Sequence, residues 1–345
     1  MSLNQHSVDS PLVVIIVLNW NGKNDTLECL ESLETMDYPN YRIIAVDNGS
    51  TDGSVTAIRA RFPQITVLET GVNLGFAEGN NVGIRYALNQ RADYVFLLNN
   101  DTVADRGLIS TLVEAAKAYP AGGVFGPKIY YHSDPSRIWY AGGVWNEEKK
   151  YFEQQGDGEI DSGQYETPGS TEFIIGCAMF IPAKIFDKID MLEPRFFLNY
   201  EEIDFCTRIK AAGLENIYVP RAKLWHKISA SFGGEDSPLK IYFTFRNRLL
   251  WAERNLPWHR AIGIHLSIYG GFKRRFMIPI SHGMAGQSLL KGGLWALVSA
   301  FRSPGNQAWL KGIRDYWLRR FGNCPKDVWR LQQRWKAARA ERVNE

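Results

Sequence analysis

The sequence lacks paired cysteines. Its four, Cys29, Cys177, Cys206 and Cys324, are widely spaced and form no C-x-x-C pair. That excludes a zinc ribbon and a disulfide scaffold, and fits a reducing cytoplasm. No stretch of 18 uninterrupted apolar residues occurs. The run Leu12 to Leu18 is too short to span a bilayer; it follows Asp9 without a basic start, so it reads as a buried strand rather than a signal peptide. A later apolar stretch, Leu289 to Phe301, is broken by Lys291 and a glycine pair, so no transmembrane helix is expected. No G-x-x-x-x-G-K-[ST] is present, and Asn19-Trp20-Asn21-Gly22 stands where G-x-G-x-x-G would follow the first strand. P-loop chemistry is therefore excluded and a dinucleotide-binding domain disfavoured. There is no internal repeat or low-complexity tract.

What is present is a chain of 345 residues, 45% hydrophobic and 22% charged, enough for a sizeable core in about two domains. The net charge of +3 hides an asymmetry. From Arg254 to Glu345 there are 17 Lys/Arg against 4 Asp/Glu, a net of +13, which leaves −10 for the first 253 residues. Six of the 11 Trp lie in the basic part. The division expected is 1–237 for an α/β domain and 238–345 for a basic, Trp-rich helical extension.

The first hundred residues alternate strand and helix signals. Strands are expected at Leu12–Leu18, Tyr41–Val46, Ile65–Leu68 and Tyr94–Leu98. Helical spacing of Leu27, Leu30, Leu33 and Met36, then of Val55, Ile58 and Phe62, and a Gly-bearing segment from Gly75 to Leu88 fill the gaps. This alternation predicts a parallel sheet with its ligand site beyond the carboxyl ends of the strands. Residues 127–170 read as loops with a small antiparallel excursion. Phe173–Ile181 reads as another buried strand, Pro182–Ile189 as a short helix and Glu201–Ala212 as a longer one. Tyr218-Val219-Pro220 reads as a strand end.

Four polar clusters follow the apolar strands: Asn19-Trp20-Asn21-Gly22, Asp47-Asn48-Gly49-Ser50, Asn73-Leu74-Gly75 and Asn99-Asn100-Asp101. Each alone is explained by turn and cap chemistry. Four in register point to a site. Gly75, Gly79 and Gly83 suit either a phosphate loop or a helix packed closely on the sheet. Asp101, ending an apolar strand, can hold a divalent cation against a diphosphate. Glu201, Glu202 and Asp204 put three carboxylates in four residues; mutual repulsion raises their pKa values and suits a general base, while a helix N-terminus also attracts acids. Asp204 is spaced to pair with Arg208. His226, after Trp225, is a lone histidine that chance also explains.

Taken in order, VLNWNG, VDNGSTDGS, NLGFAEGNNVG, LLNNDT, FFLNYEEIDFCTR and WH resemble the family-2 glycosyltransferases over roughly residues 12–230. YFTFRNRLLWAERN (242–255) resembles their bacterial rhamnosyltransferase branch. The resemblance implies an α/β fold, a single nucleotide-sugar-binding domain of the A type with a mostly parallel central sheet, plus the C-terminal helical extension. It implies an inverting, Mg²⁺- or Mn²⁺-dependent transfer from a nucleoside diphosphate sugar, dTDP-rhamnose foremost, to a saccharide or lipid-linked acceptor in surface polysaccharide synthesis.

By the same resemblance Asp47 contacts the pyrimidine and Asn19 and Asn73 line the nucleotide pocket. Asn80, Asn99, Asn100 and Asp204 join the substrate-binding set. Asp101 is the metal ligand with His226 as its partner, and Glu202 is the catalytic base with Glu201 as rival. Asn99 and Glu202 both replace the family's usual aspartates. The alternatives are another pyrimidine nucleotide sugar (galactofuranose, glucose or N-acetylglucosamine), a nucleotidyltransferase, for which NWNGKND supplies only Lys23, or a sugar-nucleotide-binding protein without catalysis. Nucleic acid is not expected as a partner. The tail is expected to touch the inner face of the plasma membrane, with Tyr316, Trp317, Arg319, Arg320 and Phe321 on one amphipathic helix, or else to pack internally or form a homodimer.

Overall fold

The computed structural model describes residues 10–228, 236–272 and 298–343. The chain divides into two compact units: Met1–Asn146, Tyr151–Phe197 and Glu201–Ile228 form the first; Glu147–Lys150, Leu198–Tyr200 and Ser229–Glu345 form the second.

The first unit opens with alternating strands and helices: β1 (Val13–Asn19), α1 (Lys23–Leu33), β2 (Tyr41–Asp47), α2 (Ser54–Arg61), β3 (Thr66–Glu69), α3 (Gly75–Asn89) and β4 (Tyr94–Asn99). Val13 to Val17 are fully buried, as a strand covered on both faces requires. The chain steps outward from β1 to β2 to β3, then returns through α3 to place β4 on the other side of β1, all parallel. The order β4-β1-β2-β3 reverses direction at β1, the switch point where open α/β sheets bind ligands.

The sheet continues beyond β4. After β5 (Thr102–Ala104) and α4 (Leu108–Ala118) come β6 (Gly122–Tyr131), β7 (Ile138–Tyr140), the hairpin β8 (Gly143–Asn146) and β9 (Tyr151–Gln154), β10 (Gly169–Thr171), β11 (Ala178–Pro182), α5 (Phe186–Ile189), α6 (Glu201–Ala211) and β12 (Glu215–His226). Strand β11 lies antiparallel between β4 and β6, and β12 runs parallel to β6.

Three expectations are corrected here. Residues 127–170, read as loops with a small antiparallel excursion, do hold that excursion as the β8–β9 hairpin, but they begin inside β6, a buried ten-residue strand of the main sheet. Its glycines hid it: they leave room for neighbours, since a Cβ on Gly123 would lie 2.7 Å from Ile209 and one on Gly126 would collide with Ile174. Pro220 does not end a strand; β12 passes through it by a register shift between Val219 and Lys223, the kind of bulge that tolerates proline. The strand expected from Phe173 starts only at Ala178.

The glycine ladder of α3 proves to be a packing device. Cβ atoms at Gly79 and Gly83 would lie 2.8 Å from Leu18 and 2.5 Å from Ile16, so the helix can seat directly on β1 only without them.

The second unit is helical in its described residues: α7 (Pro238–Asn255), α8 (Trp258–Phe272), α9 (Pro304–Trp317) and α10 (Lys326–Val343). Ser237 caps α7 by accepting from the Lys240 N–H, with Pro238 at the first helical position. Inside, Tyr242 donates to Asp315 at 2.8 Å and Trp309 is buried. The single tail helix expected to carry Tyr316 to Phe321 ends at Trp317. Arg319 takes a left-handed φ of 55°, which puts Arg319, Arg320 and Phe321 past its end. No helix among the described residues is long and apolar enough to cross a membrane. Residues 289–297 of the late apolar stretch lie outside the described residues.

Candidate active site

The parallel register aligns three polar side chains at one sheet edge: Asn19 pairs with Asp47, and Leu18 pairs with Asn99. Asn19 sits at their centre, fully buried. Its amide donates to Asp47 at 2.9 Å and to Ser50 Oγ at 3.1 Å, while its carbonyl accepts from Thr26 Oγ1, the Gly22 N–H and Asn100. Asp47 also accepts from the Ser50 N–H at 2.9 Å. Asn48 ties in the third cluster: its amide donates to Asn73 Oδ1 at 3.2 Å and to the Gly75 carbonyl, and its Oδ1 accepts from the Leu74 N–H. Asn73 accepts from the Gly75 N–H at 2.8 Å. A buried amide network with so many partners is rigid and holds its carboxylate in place.

The fourth cluster meets a strand from far along the chain. Strand β5 runs antiparallel to the end of β12, pairing Thr102 with His226. This sets His226 Nε2 3.0 Å from Asp101 Oδ1 across 125 residues of sequence. Both are more than nine-tenths buried, and His226 Nδ1 has no hydrogen-bond partner among the described residues. Trp139 covers the imidazole with its ring centroid 4.3 Å away. Lys227 next door donates its N–H to the Asp101 carbonyl, and its ammonium reaches Asp25 and Glu28 on α1. One carboxylate oxygen beside one imidazole nitrogen fits a divalent ion that takes its other ligands from phosphate and water.

Glu202 reaches the same region through the ribbon before β11. The Asn99 N–H donates to the Cys177 carbonyl at 2.9 Å, and a Cβ on neighbouring Gly176 would lie 3.6 Å from Glu202 Cβ. Burial, then the facing charges of Asp101 and Glu202, push the Cys177 thiol well above its ordinary value. All four cysteines are free and buried.

The acidic triplet divides by helix face. Glu202 is half-buried, whereas Glu201 is 4% exposed and Asp204 0%. Burial, and then the Glu202 charge, raise the Glu201 carboxyl well above the usual range, and its Oε2 has no hydrogen-bond partner among the described residues. Asp204 pairs with Arg208 at 2.8 Å, as the spacing suggested, and Arg208 donates onward to the Ile189 and Met191 carbonyls. Asn80 spends its amide on the Phe76 carbonyl within α3.

The geometry thus gathers Asn19, Asp47, Asn73, Asn99, Asn100, Asp101 and His226 at one edge, with Glu202 alongside; Glu201, Asp204 and Asn80 turn into the protein. The sequence named Asn48 only as a member of the Asp47 cluster and did not mark Trp139. Asn48 was visible as the residue after Asp47, but nothing in the sequence marked the contact between Trp139 and His226.

The N-acetylglucosaminyl-diphospho-decaprenol L-rhamnosyltransferase of Mycobacterium tuberculosis is 26% identical over 263 residues, covering 67% of this chain and 81% of that protein. The dTDP-rhamnosyl transferase RfbF of Shigella flexneri is 22% identical over 253 residues, covering 70% and 80%. Among solved structures, the mannosyltransferase PcManGT from Pyrobaculum calidifontis, in complex with GDP-Man and Mn²⁺, superposes with a TM-score of 0.56 at 16% identity, covering 90% of this chain and 88% of that one. The sequence profile of glycosyl transferase family 2 matches residues 13–189, just over half of the chain. With the strand order, the polar sheet edge and this match in agreement, the chain belongs to glycosyl transferase family 2 and is a glycosyltransferase of the A-type fold.

Proposed function

We propose that the chain transfers L-rhamnose from dTDP-rhamnose to a hydroxyl of a saccharide or lipid-linked saccharide, with inversion, in the assembly of a surface polysaccharide. The observation that carries this reading is the alignment of Asn19, Asp47 and Asn99 at the carboxyl ends of three adjacent parallel strands. The names of the two rhamnosyltransferase relatives support the sugar, and that of the mycobacterial one supports a lipid diphosphate acceptor.

Asp47 and Asn73 receive the nucleotide, braced by Asn19 and Asn48. Asp101 and His226 would hold Mg²⁺ or Mn²⁺, which when bound supplies counter-charge for a departing diphosphate. Glu202 takes the proton from the acceptor hydroxyl. The acceptor oxygen forms its bond to the anomeric carbon as the bond from that carbon to the diphosphate breaks, and the electron pair leaves with the nucleotide. A single displacement inverts the centre. The test is mass spectrometry of products from a panel of dTDP-rhamnose, UDP-galactofuranose, UDP-glucose and UDP-N-acetylglucosamine, each offered a synthetic N-acetylglucosaminyl diphospholipid. A rhamnosylated product is expected; turnover of another sugar alone would replace the donor.

We infer further that the second unit makes peripheral contact with the inner face of the plasma membrane. Trp258, Ile262 and Leu266 recur every four residues along α8 at 76%, 47% and 65% exposure. With Trp317 they line an open groove of about 690 Å³. The net of +13 over 254–345 suits anionic headgroups, at about 1 kcal/mol per basic residue near the surface, and Trp prefers the interfacial layer. In cosedimentation, the full chain is expected to bind phosphatidylglycerol vesicles in a salt-sensitive way, and Trp258→Glu with Leu266→Glu to weaken binding at least tenfold. Equal partitioning into neutral vesicles would overturn the electrostatic part. No binding, with a dimer in sedimentation equilibrium, would give the face to a second copy.

A further inference from the structure

Asn247 lies on α7 in the run Arg246-Asn247-Arg248, and both it and Arg246 are fully buried. Its side-chain amide donates to two consecutive backbone carbonyls, Leu198 and Asn199, each at 2.7 Å. Arg246 Nε donates to Asn247 Oδ1 at 2.9 Å. A guanidinium nitrogen only donates, so the atom facing it must be the amide oxygen; the NH₂ group is thereby aimed at the two carbonyls. Arg246 is itself held, by the Gly322 carbonyl at 2.7 Å and over the Phe243 ring at 4.9 Å. One helical turn on, Trp251 packs against Tyr200 with centroids 6.2 Å apart. Asn247 and Trp251 are four apart and share a face of α7.

The segment they grip is unusual. Asn199 and Tyr200 both take left-handed φ values, 65° and 76°, and neither is glycine. Such a backbone persists only where its surroundings fix it. Leu198, Asn199 and Tyr200 are the three residues immediately before Glu201 and Glu202.

We propose that Asn247 is a positioning residue for transfer: by clamping the Leu198 and Asn199 carbonyls it holds the left-handed turn that sets where Glu202 points. The inference rests on the assignment of Glu202 as base. Without the clamp two half-buried carbonyls lose this donor and the turn relaxes. A misplacement of about 1 Å in a reacting group can cost on the order of a hundredfold in rate.

The test pairs hydrogen exchange with a double-mutant cycle in the full chain, using whichever sugar nucleotide of the panel is consumed. In Asn247→Ala, amide exchange in a peptide spanning 197–205 is expected to quicken at least tenfold. The kcat is expected to fall roughly ten- to a hundredfold, with donor KM within about twofold of wild type. In a Glu202→Gln background the same substitution is expected to change kcat by less than about twofold, because the group it positions is already disabled. Asn247→Ser, which keeps one donor, is expected to fall between, and it serves if the alanine variant does not fold. Faster local exchange with unchanged kcat overturns the proposal, as does an equal loss of kcat in both backgrounds. An active Glu202→Gln overturns instead the assignment of the base, which separates the two failures.

Discussion

Asp101→Ala is expected to lower sugar transfer by at least about a thousandfold and to abolish the effect of added Mg²⁺ or Mn²⁺ on donor binding. Asp101 is the only carboxylate in the Asn99-Asn100-Asp101 run, so its loss leaves that strand end without an anionic ligand. Its Oδ1 faces His226 Nε2 at 3.0 Å inside a buried corner roofed by Trp139, and a neutral alanine there leaves the imidazole as the remaining donor of the pair. Metal ions supply several kcal/mol of charge stabilisation in such transfers, and each 1.36 kcal/mol is tenfold in rate. His226→Ala keeps the Asp101 charge, so a milder loss, recoverable at higher metal concentration, is expected. Titration calorimetry of dTDP-rhamnose with and without Mn²⁺ reads the binding, and a coupled release assay reads the rate. Undiminished wild-type activity in excess chelator would remove the metal role.

The parallel half of the fold was legible because its signals are local. Val13 to Val17 form an uninterrupted buried run, and the polar residues capping β1, β2 and β4 stand at the positions where the register sets them side by side. The antiparallel half was not legible in the same way. Strand β6 carries Gly122, Gly123, Gly126 and Pro127, residues that signal loops, and the reason for the glycines, the approach of Phe125, Ile174 and Ile209, exists only in the folded chain. His226 looked like a chance histidine because the pairing of β5 with β12 that delivers it spans over a hundred residues. Spacing to Arg208 set Asp204 apart, but Glu201 and Glu202 were indistinguishable by type; burial separates them, since 201 shares its helix face with 204 and 202 does not. The tail expectation went astray at Arg319, where a left-handed residue ends the helical run and no glycine announces it until Gly322.

That separation of the acids makes the second large effect specific. Glu202→Gln is expected to lower kcat by on the order of a hundredfold or more with donor binding near normal, because glutamine cannot accept the acceptor's proton. Glu201→Gln is expected to keep most activity. Its carboxyl is buried and, through desolvation and then the neighbouring Glu202 charge, held well above its ordinary pKa of 4.5, which disfavours the ionised form that a base needs. The sign for stability follows. A carboxyl whose folded pKa is raised favours folding most below its unfolded pKa, and that contribution is lost as pH climbs from about 4.5 through the folded value. Glutamine imitates the protonated form at every pH. Glu201→Gln should therefore match wild type near pH 4.5 and melt at progressively higher temperature than wild type as pH rises. Thermal melts of both variants across pH 4.5 to 8, beside their kcat values, check the two assignments together. An inactive Glu201→Gln alongside an active Glu202→Gln would transfer the base to Glu201.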